Sequence, residues 1–251
     1  MSRGIPFGEL PDYPGPLCMG MTGEGVELFQ EMMNLLGFQL TVDGKFAQAT
    51  RSALYAMTGK EVLEEIIWRM LLKPLEHALK EIPGKESIAV TGLAYAKKHL
   101  RAGATALPGA RGPWVRLYNQ GYDGPDHYWP AGFIYFCIAQ AHNSFSKIPK
   151  GDRFASFPFT LDCSEIGSWA REVELLVTER EGVTIPPGSL FLEGAADFDP
   201  ESNPTYTHVG FVDEFYGESF TSVEGNMNDK VIAKYRAFGA RVIHFVPPQP
   251  A

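Results

Sequence analysis

The 251-residue chain reads as an α+β protein, and three observations predict this. Apolar residues recur at helical spacing through the first two thirds of the chain. After Glu181, short apolar runs alternate with turn residues, the pattern of an antiparallel sheet. Helices followed by strands make an α+β arrangement. The stretch Ile82-Pro83-Gly84-Lys85 marks a boundary, so the expected plan is an extended arm at 1–20, a small helical bundle at 21–82 and an α+β domain at 83–251.

Taken in order, Met1 to Gly20 is rich in Pro and Gly and shows no period. Thr22 is placed to cap a helix from Glu24 to Leu36, with Val26, Phe29, Met33 and Leu36 on one face. Gly37 is its stop. An extended piece then leads into an Asp43-Gly44 turn. A second helix is expected from Ala47 to Met57, packing through Ala49, Ala53 and Ala56, and Gly59 ends it. A third should run from Glu61 to Lys80, with Leu63, Ile66, Ile67, Met70 and Leu71 inward, and Pro74 should kink or split it. Further helices are expected at Glu86–Arg101, Trp114–Tyr118, from Pro130 onward and at Ser168–Leu176. Strands are expected at Ser189–Leu192, His208–Phe215, Ser219–Glu224 and Val242–Val246.

Composition narrows the function. The net charge of -8 argues against nucleic acid, which needs a basic face. Three cysteines, Cys18, Cys137 and Cys163, form neither a disulfide framework nor a C-x-x-C zinc site. The N-terminus lacks the apolar core of a signal peptide, and no apolar run is long enough for a membrane. The expectation is cytoplasmic synthesis, with delivery to any outside target by a particle or by lysis.

Tyr128 to Cys137, Y-W-P-A-G-F-I-Y-F-C, is a polar loop turning into a buried helix. Pro130 suits the first helical position because its missing N–H costs nothing there. A helix N-terminus after a loop is also where reactive thiols sit. Cys137 lies about 10 Å further along the axis and reads as a core thiol. His77, His99, His142 and His244 show no ligand spacing and read as surface or partly buried.

Residues Gly23 to Gly59 resemble the three-helix peptidoglycan-binding domain attached to many cell-wall hydrolases. The likeness rests on Val26, Leu28, Phe29, Gln30, Leu35-Leu36-Gly37, V-D-G-K-F at Val42–Phe46, Thr50 and Ala53. It implies wall binding, with Asp43 and Gln48 near the turn as candidate contacts.

From Glu86 to Phe245 the chain resembles the CHAP domain, the cysteine- and histidine-dependent amidohydrolase/peptidase of the papain-like group. Arg111–Tyr118 resembles its G-P-x-V-x-x-Y, Tyr128–Ile134 its W-C-A-x-F-V, and Ile185–Leu192 its P-x-x-G-D-L-V-x-F. Thr207–Val212 resembles its H-V-G-I-V strand, and Val223–Asn226 its E-G-N. The resemblance implies a papain-like fold, His208 as base, and Glu224 or Asn226 as the group that orients it. The two share strand parity and would point to the same side. Trp129 would contact substrate. The nucleophile position falls on Pro130, which has no side-chain heteroatom.

Cys163, in T-L-D-C-S-E, is the nearest substitute; Cys18 in the arm is weaker. Asp123, Asp126 and His127 stand where some relatives bind calcium, but two carboxylates are too few to hold it. Asp197–Asn203 offers alternating oxygens without the EF-hand glycine or closing glutamate, so no metal or cofactor is expected. Three readings follow. The first is a peptidoglycan-binding pseudoenzyme, gripping peptide stems from a phage or contractile injection particle. The second is an active wall amidase or endopeptidase using Cys163. The third is a structural part of a particle assembly.

Overall fold

Seven α-helices precede five strands among the described residues, so the α+β order holds. The computed structural model describes residues 9–178, 183–194, 205–238 and 243–249. The segment Asp197–Asn203 lies outside them. The described residues fall into two compact units, one within Met1–Leu79 and Thr105–His127, the other within Lys80–Ala104 and Tyr128–Ala251. Among them no helix is long and apolar enough to cross a membrane.

In the first unit α1 spans Glu24–Leu35, α2 Gln48–Thr58 and α3 Glu65–Leu79. Val26, Phe29 and Met33 of α1 are buried with Phe46, Leu54, Trp68 and Leu71. Phe29 and Phe46 stack at 5.8 Å. Gly37, at φ 94, ends α1 by turning the chain so that the Phe38 N–H returns to Met33 O. Several expectations shift. The cap of α1 is Gly23 rather than Thr22, which bridges to Lys45 instead. Leu36 is exposed, as are Ala49 and Ala56 of α2, and only Ala53 of that trio is buried.

Helix α3 begins four residues later than expected because Leu63 donates its N–H to Leu17 O, drawing the preceding segment into a bridge. Its buried face is Ile67, Trp68, Leu71, Leu72 and Leu75, with Ile66 and Met70 turned outward. It runs unbroken through Pro74. The carbonyl that loses its partner there belongs to Met70, on the exposed side where water can serve it. The described part of the N-terminal arm is tied to this unit: Tyr13 Oη donates to Leu63 O and Trp68 Nε1 to Pro11 O.

The Asp43-Gly44 turn is held from inside. The amide of buried Gln30 accepts the N–H groups of Asp43 and Gly44, and donates to Asp43 Oδ1, Lys45 O and Thr50 Oγ1. Gly44 sits at φ 68, which suits a glycine. A second buried polar device binds a distant stretch of sequence into the unit. Arg116, on α5 (Pro113–Tyr118), forks onto Glu31 of α1 at 3.1 and 2.5 Å and reaches Asp123 at 2.7 Å.

In the second unit α4 is Ile88–Arg101, α6 Pro130–Asn143 and α7 Cys163–Glu172. The strands are β1 Leu190–Gly194, β2 Tyr206–Phe215, β3 Ser219–Met227, β4 Lys230–Ala237 and β5 Ile243–Val246. They form one antiparallel sheet in the order β4-β3-β2-β1-β5. Strand β4 was missed by periodicity because it is a half-exposed edge strand. Its signal was the Asn228-Asp229 pair, both at positive φ, a two-residue hairpin turn. Helix α7 starts five residues before the expected Ser168 and stops at Glu172. Asp162 caps it by accepting the Ser164 N–H, and Glu174 at φ 57 turns the chain away.

The sheet separates two environments. On one face Phe211 lies against Gly92 of α4, and Phe133 of α6 packs where a Gly225 side chain would stand. On the other, Ile185, Phe191, Val212, Phe220, Ile243 and Phe245 form a core cluster. His99 and His244 are fully inside rather than at the surface or partly buried; His99 Nε2 lies 2.8 Å from Gln140 Oε1 and His244 Nδ1 2.7 Å from Tyr206 Oη.

Candidate functional site

Helix α6 opens as the Trp-Pro pair predicts, with Pro130 at its first position and Trp129 as its cap. Trp129, proposed above as a substrate contact, is fully buried, while Tyr128 is 73% exposed. The exposed aromatic is therefore the residue before the one the motif suggested. Cys137 is fully buried, and burial pushes its thiol well above the ordinary value.

Cys163 begins α7, and its thiol lies against the backbone N–H of Ala131 in the first turn of α6. It is 6% exposed. Burial, then the Asp162 carboxylate, push this thiol up to about 12, against a smaller favourable effect of the Ala131 and Cys163 N–H groups. The helix terminus favours thiolate, but here burial wins. The Tyr206 N–H donates to Ser164 Oγ at 3.1 Å, which fastens the start of α7 to the start of β2.

His208 sits near the start of β2, just past a register irregularity opposite Glu193 and Gly194. Its Nε2 lies 2.8 Å from Glu224 Oε2, a hydrogen-bond distance. Glu224, on β3, is fully buried. It also accepts from Arg236 Nε and Nη2 at 2.6 and 2.7 Å and from Ser222 Oγ. Arg236, on β4, extends the chain of bonds to Glu193 of β1 at 2.5 Å and lies 4.5 Å over the Phe191 ring. Burial pushes the Glu224 carboxyl up, but the bonds from Arg236 and His208 and the guanidinium charge outweigh it and bring it down to about 2. Four strands thus contribute one continuous polar relay.

Gly210 makes room for it. A side chain there would stand 2.5 Å from Phe191 and 2.9 Å from Glu224. Glu224 and the next residue face opposite ways, Glu224 into the relay and Gly225 onto Phe133 of α6. Phe133 of α6 therefore packs on the face of β3 opposite to the one that carries the Glu224 side chain.

Asn226 does not share the role of Glu224. The ladder is irregular between Glu224 and Met227, and Asn226 turns to φ 58, so simple alternation ends at Glu224. The only hydrogen bond of the His208 imidazole among the described residues is the one to Glu224. Sequence reasoning missed Arg236 and Glu193. Both lie outside every motif, and only the sheet order brings them to Glu224.

In the other unit, Asp43 spends its carboxylate on Gln30 Nε2 and the Lys45 N–H, which hold it below the usual range. Gln48 is exposed and bonds to Ser52 and Arg51 of its own helix. Asp123 is committed to Arg116 and the Gly112 N–H. His127 stacks on Tyr122 at 5.7 Å. Among the described residues no group of three His, Cys, Asp or Glu side chains is placed to hold a metal. No protein-family model, curated protein or solved structure matches the chain.

Proposed function

We propose that this chain is a peptidoglycan-binding pseudoenzyme: a wall-binding helical bundle joined to a CHAP-like, papain-type domain that grips peptide stems without cutting them. The observation that carries this reading is the oriented His208. A buried carboxylate holds its Nε2, while the position the motif assigns to the nucleophile is Pro130 at the start of α6. Acyl transfer by this type of site needs a thiol for the imidazole to deprotonate. The oriented base survives and the attacking atom does not. Delivery would be by a phage or injection particle, or by lysis.

One observation favours a second reading. Cys163 abuts the same helix terminus, through the Ala131 N–H, and could serve as a relocated nucleophile of an amidase or endopeptidase. Its burial opposes that role, because a thiol held at about 12 is almost entirely protonated near neutral pH.

Co-sedimentation with purified sacculi, together with a turbidity assay on the same walls, tests these readings. The expected result is sedimentation without clearing, weakened in His208→Ala. Clearing that disappears in Cys163→Ala would replace the first reading with the second. Failure to sediment, with a stable complex of particle proteins instead, would favour an assembly role. Gain of cleavage in Pro130→Cys would support the motif alignment directly.

A further inference from the structure

We propose that Arg236 and Glu193 are positioning residues that hold His208 as its Nε2–H tautomer, so that the site offers Nδ1 as a lone-pair acceptor to a ligand N–H, an amide or an ammonium group. This rests on the reading above only in taking His208 as a ligand-contacting residue.

A carboxylate has about four lone-pair sites, and those of Glu224 meet three donors and one imidazole nitrogen. Oε1 receives Arg236 Nε and Ser222 Oγ, and Oε2 receives Arg236 Nη2 and faces His208 Nε2. A carboxylate so filled is an acceptor only, so the imidazole hydrogen belongs on Nε2 and the lone pair on Nδ1. The guanidinium cannot give up its proton. Its remaining Nη1 is fastened to Glu193, and its face rests on the Phe191 ring. Arg236 is therefore fixed at both ends, and Glu224 with it.

A bare ring nitrogen accepts and does not donate, so a ligand group that meets Nδ1 must carry an N–H or an O–H. Burying three charges is a poor route to stability, since apolar replacements of such clusters are often as stable. Orientation of His208 is what the relay supplies. Without Arg236 the buried Glu224 would take up a proton. A neutral carboxyl can donate to Nε2, which would move the imidazole hydrogen to Nδ1 and close the acceptor.

Long-range proton–nitrogen NMR of His208 in the full chain, near neutral pH, tests this. The wild type should show protonated Nε2 and bare Nδ1. Arg236→Met should shift the tautomer population toward Nδ1–H, with partial return in Arg236→Lys. Glu193→Gln leaves the fork on Glu224 intact and should give a smaller shift in the same direction, so it decides the matter if Arg236→Met does not fold. Nδ1–H in the wild type, or an unchanged tautomer in the folded variants, would overturn the proposal. Solubilised muropeptides should move the Nδ1 resonance upfield, and a response at Nε2 alone would overturn the acceptor role. If the variants shift the tautomer but muropeptides and sacculi leave the wild type unchanged, the positioning role stands and the wall-binding reading falls.

Discussion

Glu224 should give the sheet-bearing unit a specific acid sensitivity. Its carboxyl titrates near 2 in the folded protein, against an ordinary 4.5. A group depressed on folding stabilises the native state above its unfolded value, and that stability is lost as pH falls through the folded one. At about 1.4 kcal/mol per pH unit, Glu224 contributes about 3 kcal/mol at neutral pH. The loss should run from pH 4.5 down to 2. Glu224→Gln removes the titrating group but leaves Arg236 with Glu193 alone. Breaking such a buried pair costs about 3–5 kcal/mol, so the variant should be weaker at neutral pH and flatter across the acid window. The assay is urea-dependent hydrogen exchange, read on peptides covering β3 and β4, at a series of pH values corrected for intrinsic rates. These peptides report the unit that contains Glu224 even if the two units unfold separately. The same acid slope in wild type and variant would refute the argument.

Other perturbations probe separate parts of the molecule. Arg116→Ala leaves Glu31 buried without its fork and should cost about 3–5 kcal/mol, read by denaturant unfolding; a loss below about 1 kcal/mol would mean the pair behaves like a surface one. Gln30→Ala strips the Asp43-Gly44 turn of its internal bonds and should cost about 2–4 kcal/mol, at about 1 kcal/mol for each of several bonds, with faster amide exchange at Gly44 as its signature. Iodoacetamide near neutral pH should label Cys18, which is partly exposed, well before Cys163 or Cys137; rapid labelling of Cys163 in the folded protein would count against the effect of its burial.

The order of elements was legible because it depends on local periodicity and on turn residues. The helix at Pro130 is set by proline's fit to a first helical turn, and the sheet by short apolar runs between breakers. The misses came from long-range partners. Leu63 was taken from α3 by a bond to Leu17. Asp162 moved the start of α7, although the D-x-x-E pattern of Asp162 and Glu165 is a capping signal. Edge strand β4 shows too little burial for its period to stand out.

The candidate site divides in the same way. His208 and Glu224 could be picked from the chain because both sit in short strand motifs, and Pro130 because it stands where a thiol was expected. The tertiary structure decided which carboxylate or amide orients His208, since a register irregularity turns Asn226 aside and leaves Glu224 in line. It also decided what charges Glu224, since Arg236 and Glu193 come from strands on opposite sides of the β2–β3 pair. Sequence records which residues follow one another along a strand. Which residues stand side by side across strands is set by register and sheet order, and those pairings carry the electrostatics of this site.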